Sequence, residues 1–165
     1  MTEAEKKIYA KVLDRMRTLC SRREYCVSDI RKKALTAFSK VLSDDTADAE
    51  TLTQSVIESL LSDKYLDESR YAASYARDKS TLSGWGKRKI CMMLSAKGVD
   101  RDTIAAALEK IDPEKSFTKL EKLLSAKLRS LKEDPQKKLK LIRFALSRGY
   151  SYDEIRIVVD SLFSA

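Results

Sequence analysis

No histidine and no asparagine occur among the 165 residues, and glycine (4), proline (2), cysteine (3) and tryptophan (1) are scarce. The missing histidine removes the commonest general base and metal ligand. Four glycines leave almost nothing for a loop that cradles phosphates through its backbone. Cys20, Cys26 and Cys91 are odd in number and lack CxxC spacing, so neither a disulfide framework nor a zinc site is indicated, and a cytoplasmic location fits best. No run of about 18 apolar residues is available to cross a bilayer. The start MTEAEKKIYAKVLDRM mixes both charges rather than leading a basic tip into an apolar block. Most enzyme classes and a membrane location are thereby excluded.

What is present is apolar and charged in helical proportion: 43% hydrophobic and 35% charged residues with little Gly or Pro. That composition predicts an all-α chain of amphipathic helices. Ile8, Val12, Met16 and Leu19 recur at helical spacing, as do Ile104, Ala107, Leu108 and Ile111. Asp112 before Pro113 and Asp134 before Pro135 each predict a cap followed by proline at the first helical position. Ser151 and Glu154 form a capping-box pattern, and Gly98 and Gly149 stand where helices should stop.

Sliding residues 87–108 forward by 51 places Lys87 on Lys138, Lys89 on Lys140, Lys97 on Arg148, Gly98 on Gly149 and Ile104 on Ile155. Both segments read as basic helix, glycine stop and capped helix, each preceded by a further helix at 67–81 and 113–131. The repeating unit is three helices, within the range of solenoid periods. A degenerate first copy spans a helix from 4 to 21, one from Ser28 through Phe38, and one through Leu52, Val56 and Leu60, with SDDTADAE read as an acidic loop at 43–50. The expected architecture is an elongated tandem array of three three-helix, helix-turn-helix-like repeats at 1–62, 63–112 and 113–165.

The net charge is +8 and unevenly spread. Residues 15–40 carry Arg15, Arg17, Arg22, Arg23, Arg31, Lys32, Lys33 and Lys40 against Glu24 and Asp29. Residues 127–148 carry a similar excess, from Lys127 to Arg148. Two basic regions suggest a polyanion, or a protein assembled on one, as partner. Repeat equivalence lines up Lys87 with Lys138, Lys89 with Lys140 and Lys97 with Arg148 as a basic stripe. Within GWGKRKICMM, Trp85 is expected to anchor the core rather than stack on bases, and Lys87, Arg88 and Lys89 oppose the dipole of the helix they open.

No catalytic constellation survives inspection. SFTK (Ser116 to Lys119) has the Ser-x-x-Lys spacing without its SDN or KTG partners. Tyr75 and Lys79 have a Tyr-x-x-x-Lys spacing with no glycine-rich turn to hold a nucleotide. Asp44 and Asp45 lie in a polar stretch that offers nothing to raise a carboxylate pKa.

The run YLDESRYAASYARDK (Tyr65 to Lys79), then GWGKRKI (Gly84 to Ile90), LSAKGVDRDTI (Leu94 to Ile104) and LSRGYSYDEI (Leu146 to Ile155) resembles the RecX family, bacterial regulators of the RecA recombinase. CSRREYCVSDIRKKAL (Cys20 to Leu35) is similar to the first repeat of that family. The first repeat departs from the family pattern in its leucine spacing, its missing glycine and its acidic insert. The resemblance implies tandem three-helix units that bind RecA filaments on single-stranded DNA and inhibit recombinase, ATPase and coprotease activities, without enzymatic activity or cofactor. The expected binding residues are Lys87, Arg88, Lys89, Lys97, Lys138, Lys140, Arg143 and Arg148, with Arg22, Arg23, Arg31, Lys32 and Lys33 as a second patch. Arg70 and Tyr71 are expected to serve packing and ion pairing, and the chain to act as a monomer off the membrane. Two rival readings are a sequence-specific helix-turn-helix DNA binder, for which only Gln54 and Gln136 among amide side chains could read bases, and a helical scaffold that binds protein alone.

Overall fold

The computed structural model describes residues 1–42 and 46–164, and among them every regular element is an α-helix. In chain order these are α1 (Glu3–Arg22), α2 (Val27–Ser39), α3 (Thr46–Ser62), α4 (Glu68–Thr81), α5 (Lys87–Ala96), α6 (Arg101–Glu109), α7 (Pro113–Leu131), α8 (Lys137–Ser147) and α9 (Tyr152–Phe163). None is long and apolar enough to cross a membrane. The helices gather into two compact units, Met1–Ala72 with Lys97–Val99, and Ala73–Ala96 with the chain from Asp100 onward.

Local chemistry explains the helix starts. Thr2 and Glu5 form a capping box at α1, and Asp112 accepts from the Glu114 and Lys115 N–H groups with Pro113 at the first position of α7. A three-residue device opens α6 and α9. Gly98 (φ 81°) and Gly149 (φ 90°) take left-handed turns, Val99 and Tyr150 bury their side chains, and Asp100 and Ser151 accept from the N–H groups of Thr103 and Glu154. A side chain at either glycine φ would be strained, which is why glycine stands there.

In the first unit, α1, α2 and α3 pack on one another around Met16, Ile30, Phe38, Val56, Ile57 and Leu60. In the second, α7, α8 and α9 enclose Leu120, Leu124, Leu141, Ala145, Tyr150, Ile155, Val158 and Val159, and α5 packs on α6. Each buried aliphatic side chain contributes roughly 1.5–3 kcal/mol.

Two expectations require correction. The stretch read as an acidic loop is helical from Thr46 onward, because Asp48 lies in the first turn of α3, where the helix dipole favours a carboxylate. Residues 43–45 of that stretch lie outside the described residues. The helix expected to begin at Pro135 begins at Lys137 instead: Asp134 accepts from the Gln136 N–H and pairs with Lys140, so Asp134 and Pro135 form a turn ahead of it.

Candidate functional site

The entrance to α5 concentrates the unusual chemistry of the second unit. Gly84 takes φ 67°, the Trp85 N–H donates to the Lys79 carbonyl (2.9 Å), and Gly86 leads into Lys87, Arg88 and Lys89. The first turn of α5 contains no acidic residue, so three cations sit at the positive end of the helix dipole. Trp85 is only half-buried, not the core anchor expected of it. Its ring meets Tyr75 edge-on at 6.3 Å, and the ammonium groups of Lys79 and Lys89 lie 4.7 and 4.5 Å from its centroid. Contacts of that length hold a cation on an aromatic face. Lys87 is exposed and rims a cavity of about 230 Å³ lined also by Phe117, Leu120, Tyr150 and Glu154.

The start of α8 follows a related design. Its first turn also lacks an acidic residue; Lys137 and Lys138 approach the Phe163 ring at 5.8 and 5.9 Å, while Lys140 is taken by Asp134. Arg143 is exposed. Lys127 and Arg148 both lie over Phe144, at 5.3 and 5.2 Å.

Lys97 and Arg148, aligned by the repeat, prove to do the same structural job. The Lys97 carbonyl accepts from the Ser28 hydroxyl (2.8 Å), and its ammonium group pairs with Asp29 (3.1 Å) at the start of α2. The Arg148 carbonyl accepts from the Gly86 N–H (2.8 Å), its guanidinium donates to the Ser83 carbonyl (2.9 Å), and the Arg88 N–H donates to the Gly149 carbonyl (3.2 Å) at the start of α5. In both cases the beginning of one repeat's second helix docks on the glycine turn of the next repeat. The second joint is tight: a Cβ on Gly86 would stand 2.3 Å from the Gly149 carbonyl oxygen, and one on Gly149 would stand 2.4 Å from the Lys89 Cβ. Lys97 and Arg148 are half-buried cations engaged in these joints. Burial alone would lift the Asp29 carboxyl, but hydrogen bonds from Lys97 and Cys26 outweigh it and hold the group below its ordinary value.

The first joint also gathers residues that sequence placed in separate patches. Arg31, Lys32 and Lys97 line one cavity of about 370 Å³ with Val27, Ser28, Glu68 and Gly98. Glu68 accepts from the Val27 N–H (2.7 Å), capping α2 from a distant helix, and Arg31 donates to Gln54 (2.7 Å). Arg22, Arg23 and Lys33 are exposed, with Arg23 stacked 4.3 Å from the Tyr25 ring. Arg70 forms the anticipated ion pair, with Glu24 at 2.6 Å, and also donates to the carbonyls of Lys64 and Tyr65. Tyr71 is buried. Sequence reasoning missed Ser28, Asp29, Glu68 and Lys79 as participants. Lys79 alone had a signal, since its i,i+4 spacing from Tyr75 puts both on one helix face.

The three cysteines are free, and no group of His, Cys, Asp or Glu among the described residues could hold a metal ion. Burial and the nearby Glu24 carboxylate push the Cys20 thiol up to about 11, although Arg70 opposes them. Burial, with Glu154 adding to it, pushes the Tyr150 hydroxyl up to about 12.

Residues 67–108 match the family model for the second three-helix domain of RecX, and residues 114–159 match the third. Among curated relatives, the regulatory protein RecX of Clostridium botulinum strain Eklund 17B is 39% identical over 116 residues, which are 68% of this chain and 53% of that protein. RecX of Leuconostoc mesenteroides is 30% identical over 118 residues, 70% of this chain and 44% of the relative. The matched part of the chain thus spans about half the length of these relatives. A crystal structure of regulatory protein RecX superposes with a TM-score of 0.78 at 24% identity, covering 95% of this chain and 74% of the other. RecX from Lactobacillus salivarius gives 0.73 at 22% identity, with 95% and 97% covered.

Proposed function

Because the chain belongs to the RecX family, we propose that it regulates RecA by binding the RecA filament on single-stranded DNA and restraining recombinase, ATPase and coprotease activities. The observation that carries this reading is the succession of two RecX three-helix domains, in family order, over residues 67–159. The recognition unit is taken to be the three-helix repeat, bounded at 1–62, 63–112 and 113–165. The protein works as a monomer in the cytoplasm and performs no catalytic step of its own.

Physical chemistry supports the same direction. An excess of cations over a chain of net charge +8 speeds encounter with a polyanionic filament and makes binding fall with salt. The exposed members of the expected set that form no ion pair among the described residues, Lys87, Arg88, Lys138, Arg143, Arg22, Arg23, Lys32 and Lys33, are the binding residues of this reading, while Lys140, also exposed, is paired with Asp134. Lys97 and Arg148 support it by holding the joints.

The test is titration into preformed RecA filaments from the same organism on single-stranded DNA with ATP, following hydrolysis and filament length at low and high salt. A substoichiometric fall in hydrolysis with filament shortening is expected. No effect on filaments together with tight, sequence-dependent duplex binding overturns the proposal in favour of a helix-turn-helix DNA binder.

A further inference from the structure

The α5 entrance carries more cation than its surroundings balance. Lys79, Lys89, Lys87 and Arg88 converge on one segment, yet among the described residues none of the four forms an ion pair with a carboxylate. Two of them are instead held on the single indole of the chain, at 4.7 and 4.5 Å. Three stand in the first turn of a ten-residue helix, where the dipole disfavours positive charge. An anion placed at this helix start would offset the unfavourable dipole contribution.

We propose that Trp85 with Lys79, Lys87, Arg88 and Lys89 forms a phosphodiester-binding site for single-stranded nucleic acid, in which the indole orients Lys79 and Lys89 toward the backbone and is not itself a platform for bases. It deepens the function proposed above by adding Lys79 and Trp85 to Lys87, Arg88 and Lys89 and by giving the five one ligand chemistry, and it rests on that reading only for its biological setting. The ring favours this division of labour. Two ammonium groups already lie within 4.7 Å of its centroid and Tyr75 packs against it in a T-shaped pair, so a base stacking on the indole would compete with these contacts. Lysine bonds phosphate as a point charge, whereas planar carboxylates on an acidic protein surface are better met by the arginine fork. Here three of the four cations are lysine. A side chain held near its bound conformation also loses less freedom when the anion arrives. Trp85 is in these terms a positioning residue, and the four cations are the binding residues.

The single tryptophan makes the site its own reporter. Full-length protein, without RecA, is titrated with a thymidine oligonucleotide, with an abasic strand of the same length, and with polyglutamate, while Trp85 emission is followed across a salt series. Expected are equal emission changes and equal affinities for the two strands, a much weaker response to polyglutamate, and a log–log salt slope that falls by about 0.7 in Lys79→Gln. By anisotropy of labelled strand, Trp85→Leu binds about fivefold more weakly, whereas Trp85→Phe, which keeps an aromatic face, recovers most of the affinity. Lys79→Gln removes a half-buried charge and leaves the ring in place, so the test does not depend on whether Trp85→Leu folds. A severalfold preference for the base-bearing strand would overturn the proposal in favour of stacking on Trp85. An equal response to polyglutamate would overturn it in favour of an acidic protein surface, and an unchanged emission would remove the site altogether. Filament regulation in the RecA assay alongside any of those results would leave the proposed function standing while this site fails.

Discussion

Replacing each of three glycines by alanine separates two sources of stability that the sequence presents as one. Gly98 and Gly149 occupy equivalent positions with φ of 81° and 90°, so alanine at either is strained by about 1–2 kcal/mol, offset in part by the lower entropy of the unfolded chain. A Cβ at Gly98 meets nothing within 4 Å, and Gly98→Ala should therefore cost about 1 kcal/mol. At Gly149 the new Cβ would lie 2.5 Å from the Lys89 backbone nitrogen, which no side-chain rotation relieves. The joint must open, losing the Gly86 N–H and Arg88 N–H bonds to the turn, each about 1 kcal/mol, for a total of about 3–4 kcal/mol. Gly86→Ala carries the collision without the φ strain and should fall between, near 2 kcal/mol on the scale of overpacking costs. At about 2–4 °C per kcal/mol for a chain of this size, Tm should drop about 3 °C in Gly98→Ala and about 10 °C in Gly149→Ala. Calorimetry gives the whole transition, and Trp85 emission follows the unit that contains Gly86 and Gly149. Melting of Gly149→Ala within 2 °C of Gly98→Ala would refute the claim that the approach of the two turns stabilises the fold.

Reversing Lys97 to Glu places a carboxylate beside Asp29 and should lower the urea midpoint, whereas the Asp29→Lys, Lys97→Glu exchange should recover most of the loss; no recovery would mean the pair contributes little. Asp29, Asp100 and Asp134 all sit below the ordinary 3.8, so their contribution is full above about pH 4 and disappears as pH falls through the lower folded-state values. A flat urea midpoint from pH 7 to 5 and a decline below 4 are expected, the decline being smaller in Lys97→Met. With its thiol pushed up to about 11, Cys20 should be only about one-thousandth ionised at pH 8, and iodoacetamide should label it far more slowly than a free cysteine, as peptide mapping can establish.

Helical class, the caps at Asp112 and Ser151, and the glycine stops were readable because each depends on residues a few positions apart. The Asp134–Pro135 signal misled because the same Asp side chain also caps a turn and binds Lys140, a competition that local pattern does not resolve. The acidic stretch looked like loop by composition, yet carboxylates are welcome in the opening turn of a helix. Most of all, charge was legible and its partner was not. Lys97 reaches Asp29 across 68 positions and Arg148 reaches Ser83 across 65, so residues that read as open cationic surface turned out to fasten one repeat to the next. The basic helix starts were legible as motifs, but that Lys79 shares the Trp85 ring required the fold.

The joint described at Lys97 and again at Arg148 has a direction. A helix beginning supplies one half and a glycine turn the other, so the two contacting surfaces differ, as in the head-to-tail interfaces of open assemblies and unlike the self-matching interfaces of twofold dimers. Such a contact does not close on itself and sets no limit on copy number. Repeats can then be gained or lost as modules provided each keeps a helix start for one neighbour and a turn for the other, while the interior of every module is left alone. The glycine turn serves both ends at once, meeting the neighbouring helix start through its backbone while Val99 or Tyr150 beside it enters the interior.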